Sequence, residues 1–106
     1  MPKEKSKTKN NSKSLANINR IIHEPARLLI MAHLYVVESA DFTYMRLQTN
    51  LTWGNLSSHV SKLEEAGYVL VKKEFIKKKP RTMLSLTIEG RKAFEEYQQQ
   101  MKLLLG

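Results

Sequence analysis

Asn55, Ser57, Ser58, Ser61 and Lys62 crowd into eight positions of the stretch LTWGNLSSHVSKLEEAGYV (51–69). Two chemistries use serines in such company. Nucleophilic catalysis needs a base within reach of the hydroxyl and a third group to orient that base. Ser58 and His59 are chain neighbours rather than an opposed pair, and no carboxylate is obviously placed to orient the imidazole. The other chemistry is recognition of a polyanion, in which short side chains bring a backbone close to phosphates and base edges. Asn55 carries an amide that pairs with adenine, and Lys62 reaches a phosphate or a guanine. Thr52, Ser57 and Ser58, with the free N–H groups of a helix's first turn, can hold phosphate. The competing reading is that Ser and Asn near a helix start are caps and local hydrogen bonders.

The remaining reactive types form no constellation. His23, His33 and His59 lack metal-ligand spacing, and His33 reads as a packed core or rim histidine. There is no cysteine, and the four glycines, at 54, 67, 90 and 106, make no phosphate loop. Neither an enzyme nor a metal or other cofactor is expected. The longest apolar run, Leu28 to Val37, is ten residues, about half a membrane span. A soluble, cytoplasmic protein with no membrane partner is expected.

Charge supports the polyanion. The formal net charge of +8 is confined to two segments of the 106-residue chain. Residues 1–14 hold five lysines against Glu4, and residues 72–81 hold Lys72, Lys73, Lys77, Lys78, Lys79 and Arg81 against Glu74. The rest carries a net −1. Scattered lysines serve solubility, whereas two basic patches on a neutral body fit a polyanionic partner.

Those residues need elements to position them. MPKEKSKTKNNSKS (1–14) has nothing to bury and reads as a disordered basic tail. Leu15, Ile18, Ile21 and Ile22 follow helical spacing that must stop before Pro25, and Pro25 opens an apolar helix. Ala40 to Phe42 reads as extended, and Thr43 as the cap of a brief helix with Met45 or Leu47 turned inward. Thr52 and Gly67 bracket the helix from Trp53 to Ala66. At 100° per residue, Trp53, Val60 and Leu63 fall within about 60° of Leu56, a buried stripe with Trp53 as core anchor. Gly54, Asn55, Ser58, Ser61, Lys62 and Glu65 lie opposite, and His59 stands at the flank. Residues 68–76 and 81–87 alternate as two strands around a basic turn, and Thr87 caps a last helix. Gly90, Phe94, Tyr97, Met101 and Leu104 recur at a heptad spacing.

The order predicts a mainly α fold with a small β-hairpin: a winged helix-turn-helix over residues 15–88, with a C-terminal dimerisation helix at 88–106. The second helix of such a pair enters a major groove. The wing then offers Lys77, Lys78, Lys79 and Arg81 to phosphates or a minor groove. Leu15, Ile18 and Ile22 at one end, with Phe94, Tyr97, Met101 and Leu104 at the other, are the expected homodimer seam. The alternative is a winged-helix module for protein or structured RNA, which would show large apolar anchors on the 54–65 face, where none stands.

His23-Glu-Pro-Ala-Arg-Leu28, Leu51-Thr-Trp-Gly-Asn-Leu-Ser-Ser-His59, Lys62-Leu-Glu-Glu-Ala-Gly-Tyr-Val69 and Leu86-Thr-Ile-Glu-Gly-Arg-Lys-Ala-Phe94 together resemble the short MarR-like winged-helix transcriptional regulators of archaea and bacteria. The resemblance covers about residues 21–98. It implies a homodimer on a pseudo-palindromic operator, repression being the commoner outcome, with helix 53–66 in the major groove and wing 72–82 on the flanking minor groove. Larger relatives carry Asp-x-Arg at the wing. Arg81 matches the arginine, but Lys79 stands in place of the aspartate, so Arg81 is expected to lack its orienting carboxylate. The larger relatives also enclose an effector between longer helices, and in this shorter chain an effector is left unassigned.

Overall fold

A computed structural model describes residues 17–106. The basic tail (1–14) and Leu15 lie outside the described residues. The elements run α1 (Pro25–Val36), β1 (Ala40–Asp41), α2 (Phe42–Thr49), α3 (Trp53–Glu65), β2 (Val69–Ile76), β3 (Lys79–Leu86) and α4 (Ile88–Leu105). This is the winged helix-turn-helix that the sequence predicts: α2 and α3 form the helix pair, and β2 and β3 the wing. The extended piece before α2 joins the wing, giving a three-stranded antiparallel sheet in the order β1-β3-β2. Ala40 pairs with Leu84 and Asp41 with Met83.

Caps set the helix starts. Glu24 accepts the Arg27 N–H at 2.8 Å, with Pro25 in the first turn of α1, where its missing N–H costs nothing. The α2 cap is Asp41 rather than Thr43, since its carboxylate accepts the Tyr44 N–H at 2.6 Å. Met45 is the inward residue of α2, and Leu47 stays exposed. Thr52 accepts the Asn55 N–H at 3.1 Å to start α3, and Thr87 accepts the Gly90 N–H at 2.8 Å to start α4. At the end of α3, Gly67 takes φ +83°. The Tyr68 N–H reaches Leu63 O and the Gly67 N–H reaches Glu64 O, a Schellman stop that satisfies carbonyls left over by the last turn.

The core joins Ile30, Met31 and Leu34 of α1, Met45 of α2, and Leu56, Val60 and Leu63 of α3 to Val69, Leu84, Phe94 and Tyr97. Two expectations change here. Residues 18–24 form turns rather than a helix. Asn19 Oδ1 accepts the Ile21 and Ile22 N–H groups at 2.9 and 3.1 Å, an Asx turn that competes with helical bonding. That turn folds Ile18 and Ile22 into the core of their own chain, at 5% and 0% exposure. Phe94 and Tyr97, both at 5%, are likewise buried within the single chain. This half of the expected dimer seam is therefore occupied by intrachain packing, because α4 lies back on its own domain. Gly90 makes that possible: a Cβ there would run into the Tyr68 carbonyl.

Candidate nucleic-acid interface

The capped start of α3 fixes which side chains its exposed face presents. Leu56, Val60 and Leu63 are buried, and Thr52, Gly54, Asn55, Ser57, Ser58, Ser61 and Lys62 are all exposed. The face has two flanks. On one, Ser57, Ser61 and Glu64 line a groove of about 270 Å³ with Val71, Lys73 and Thr82 of the wing. On the other, His59 is turned toward the start of α1. Arg27 donates to His59 Nδ1 at 3.1 Å, and a Glu24 oxygen lies 3.7 Å from the same nitrogen. Because a guanidinium only donates, that nitrogen is an acceptor in this arrangement. His59 thus pins α3 to α1. Between the flanks, Gly54 and Ser58 hold the centre of the face, with Asn55 and Lys62 on its His59 side. The Thr52 hydroxyl caps the helix with one of its lone pairs.

The wing is a two-residue hairpin. Ile76 pairs with Lys79, and the two tip residues, Lys77 and Lys78, adopt φ +53° and +66°. Positive φ at both central residues is the type I′ turn that matches strand twist, a place usually taken by Asn-Gly. Lys77, Lys78, Lys79 and Arg81 are exposed, while Lys72 is partly neutralised by Glu74 at 3.4 Å.

Arg81 does have a carboxylate. Its guanidinium donates to Asp41 Oδ2 at 2.9 Å, so the residue that caps α2 also holds the wing arginine. With Lys79 in the usual aspartate position, the partner comes from β1 instead, brought alongside by the β1–β3 pairing. Asp41 was missed in the sequence because its two jobs lie 3 and 40 residues away. Only the first of these leaves a local trace, an acid three positions before the N–H it caps.

Trp53 also departs from expectation. It is 51% exposed rather than a core anchor. It stacks on Phe42 with ring centroids 5.9 Å apart and planes 9° from parallel. The Arg46 guanidinium lies 5.1 Å from the indole centroid. Trp53 is the first residue of α3, at the end of the buried stripe, and its contacts are with Phe42 and Arg46 of α2 rather than with the core. With Asp41, Phe42, Lys79, Pro80 and Arg81 it lines a cleft of about 490 Å³ between the start of α3 and the base of the wing. Exposed short donors, a cationic hairpin and an anchored arginine therefore border one continuous surface. Among the described residues no group of His, Cys, Asp or Glu has metal-holding geometry, and no helix is long and apolar enough to cross a membrane.

Comparison with known proteins agrees with this geometry. A family model described as a winged helix DNA-binding domain matches residues 26–105. An uncharacterized protein of Methanocaldococcus jannaschii is 42% identical over 78 residues, 74% of this chain and 85% of its own length. Among solved structures, a transcriptional regulator homologue from Pyrococcus horikoshii OT3 superposes with a TM-score of 0.78 at 31% identity, covering 94% of each chain. NadR in complex with 4-hydroxyphenylacetate superposes at 0.65 with 25% identity, over 99% of this chain and 76% of that one.

Proposed function

The chain belongs to the winged helix DNA-binding domain family, as a MarR-like transcriptional regulator, and on that premise we propose that it acts as a homodimeric repressor on a pseudo-palindromic operator. In this reading α3 enters the major groove, and wing 72–82 lies on the flanking minor groove and backbone. Asn55, Ser58 and Lys62 face base edges and phosphates. Thr52, Gly54, Ser57 and Ser61 allow or make close backbone contacts, and Lys77, Lys78, Lys79 and Arg81 bind from the wing. The observation that carries the reading is the pairing of α3's short-donor face with an arginine that Asp41 holds 2.9 Å away at the wing. Repression follows from simple occlusion of a promoter, which asks nothing further of the protein.

A gel shift on duplex DNA at two salt concentrations tests the proposal. Phosphate neutralisation releases counterions, so retardation weakens steeply as salt rises. Arg81→Ala and Lys62→Ala are each expected to weaken binding and to lower the salt slope of the homodimer by about 2, one phosphate contact being lost in each copy. Binding that ignores salt and both substitutions would overturn the DNA reading in favour of a winged-helix module for protein or RNA.

A further inference from the structure

The wing tip carries more than charge. Phe75 is 79% exposed, the most open aromatic ring among the described residues, and its cross-strand partner is the exposed Pro80. Alternation along the strands puts Phe75 on the same sheet face as Val71 and Lys73, and Pro80 on the face of Thr82. That is the face that meets Ser57 and Ser61 of α3 across the groove. The apolar pair thus stands at the outer end of the channel between recognition helix and wing, directly below the cationic tip at Lys77, Lys78 and Lys79.

We propose that Phe75 and Pro80 form an apolar wedge that packs into the minor groove of duplex DNA and opens a base step beside the site read by α3. The inference rests on the DNA-binding reading above. Charge complementarity selects the occupant, because an apolar pair ringed by lysines suits a polyanion whose stacked bases present apolar faces once a step is opened. Continuity supports it as well, since the pair prolongs the α3 surface. Wedge insertion unstacks a step and favours deformable pyrimidine–purine sequences, so Phe75 selects DNA by flexibility at positions where no base edge is read.

The test uses duplexes of about 30 base pairs that the wild-type full chain recovers from a random-sequence pool, with 2-aminopurine in place of adenine at successive flanking positions. The wild type is expected to raise 2-aminopurine fluorescence at one flanking step and to recover pyrimidine–purine steps there. Phe75→Ala is expected to abolish both effects and weaken binding ~tenfold. It leaves the slope of affinity against salt unchanged, because no phosphate contact is lost. Phe75→Leu recovers most of the affinity. An unchanged thermal midpoint, expected for so exposed a ring, separates these effects from unfolding. Equal affinity and equal fluorescence in wild type and Phe75→Ala would overturn the wedge while leaving the DNA reading intact. A change in molecular mass in Phe75→Ala would overturn it in favour of a contact between copies. Failure of the wild type to recover any duplex would overturn both.

Discussion

At the scale of single residues, Asp41 carries two connections at once. One carboxylate oxygen takes the Tyr44 N–H at 2.6 Å and starts α2, and the other holds Arg81 at 2.9 Å. Asn keeps the cap and loses the charge, since Asn and Asp rank alike at N-cap positions. Asp41→Asn is therefore expected to shift stability by less than about 1 kcal/mol, the worth of an exposed ion pair. Its effect should appear in binding: fluorescence anisotropy is expected to show several-fold weaker affinity for duplex DNA as Arg81 loses its orientation. Tighter binding would mean that the carboxylate repels the backbone more than it positions the arginine. This site was half legible in the sequence. Counting 100° per residue separated Leu56, Val60 and Leu63 from the exposed donors of α3, and lysines in a turn can only be solvated. The Arg81 partner was not legible, because it depends on β1 lying against β3, a long-range pairing that no local pattern announces. Trp53 misled for a related reason. Its angle belongs to the buried stripe, but burial at a helix end depends on what the neighbouring element covers.

At the scale of elements, the wing tip combines backbone strain with positive charge. Lys77 and Lys78 both take positive φ, where a side chain other than that of Gly or Asn costs about 1 kcal/mol or more. The double substitution Lys77→Asn, Lys78→Gly supplies the preferred type I′ residues. It is expected to raise the thermal midpoint by several degrees in a domain of this size. The same variant should bind duplex DNA more weakly, with the salt slope of the homodimer lower by about 4, as two phosphate contacts go in each copy. A midpoint that rises with binding unchanged would remove the tip lysines from the interface. The element boundaries themselves were largely readable. Pro25, Thr52, Gly67 and Thr87 mark helix ends through chemistry that acts over three or four residues. The helix expected over Leu15 to Ile22 failed from Ile18 onward, because Asn19 offers the backbone a tighter alternative and the isoleucines keep their burial either way. Gly90 looked like one position of a heptad, but it is the point where α4 touches the Tyr68 backbone. Gly90→Ala should therefore cost about 1–3 kcal/mol, and more if α4 cannot shift, as measured by chemical denaturation.

At the scale of the whole molecule, the question is what remains for a second copy. Phe94 and Tyr97 are spent on the core, and burial alone pushes the Tyr97 phenol up from its ordinary range. Phe94→Glu would therefore unfold the domain rather than split a dimer. Farther along α4 the apolar side chains are less covered. Met101 and Leu104 are half-buried, and Leu103 and Leu105 are 49% and 77% exposed. Leu105, Met101 and Leu28 also line an apolar groove of about 390 Å³ beside α1. An isologous contact is self-complementary, so an apolar helix end lying along an apolar groove can satisfy two copies at once. In the proposed dimer, light scattering gives twice the 12.3 kDa chain mass for the wild type. Leu103→Glu and Leu105→Glu place a carboxylate in that contact and are expected to give the single-chain mass with the thermal transition of α1–α3 retained. Binding should then fall steeply, with the salt slope roughly halved, because one recognition helix and one wing reach only half of a two-fold site. If both variants keep the doubled mass, the end of α4 is not the interface. If the wild type itself has the single-chain mass and the full salt slope, one copy is enough to bind, and the operator need not be palindromic.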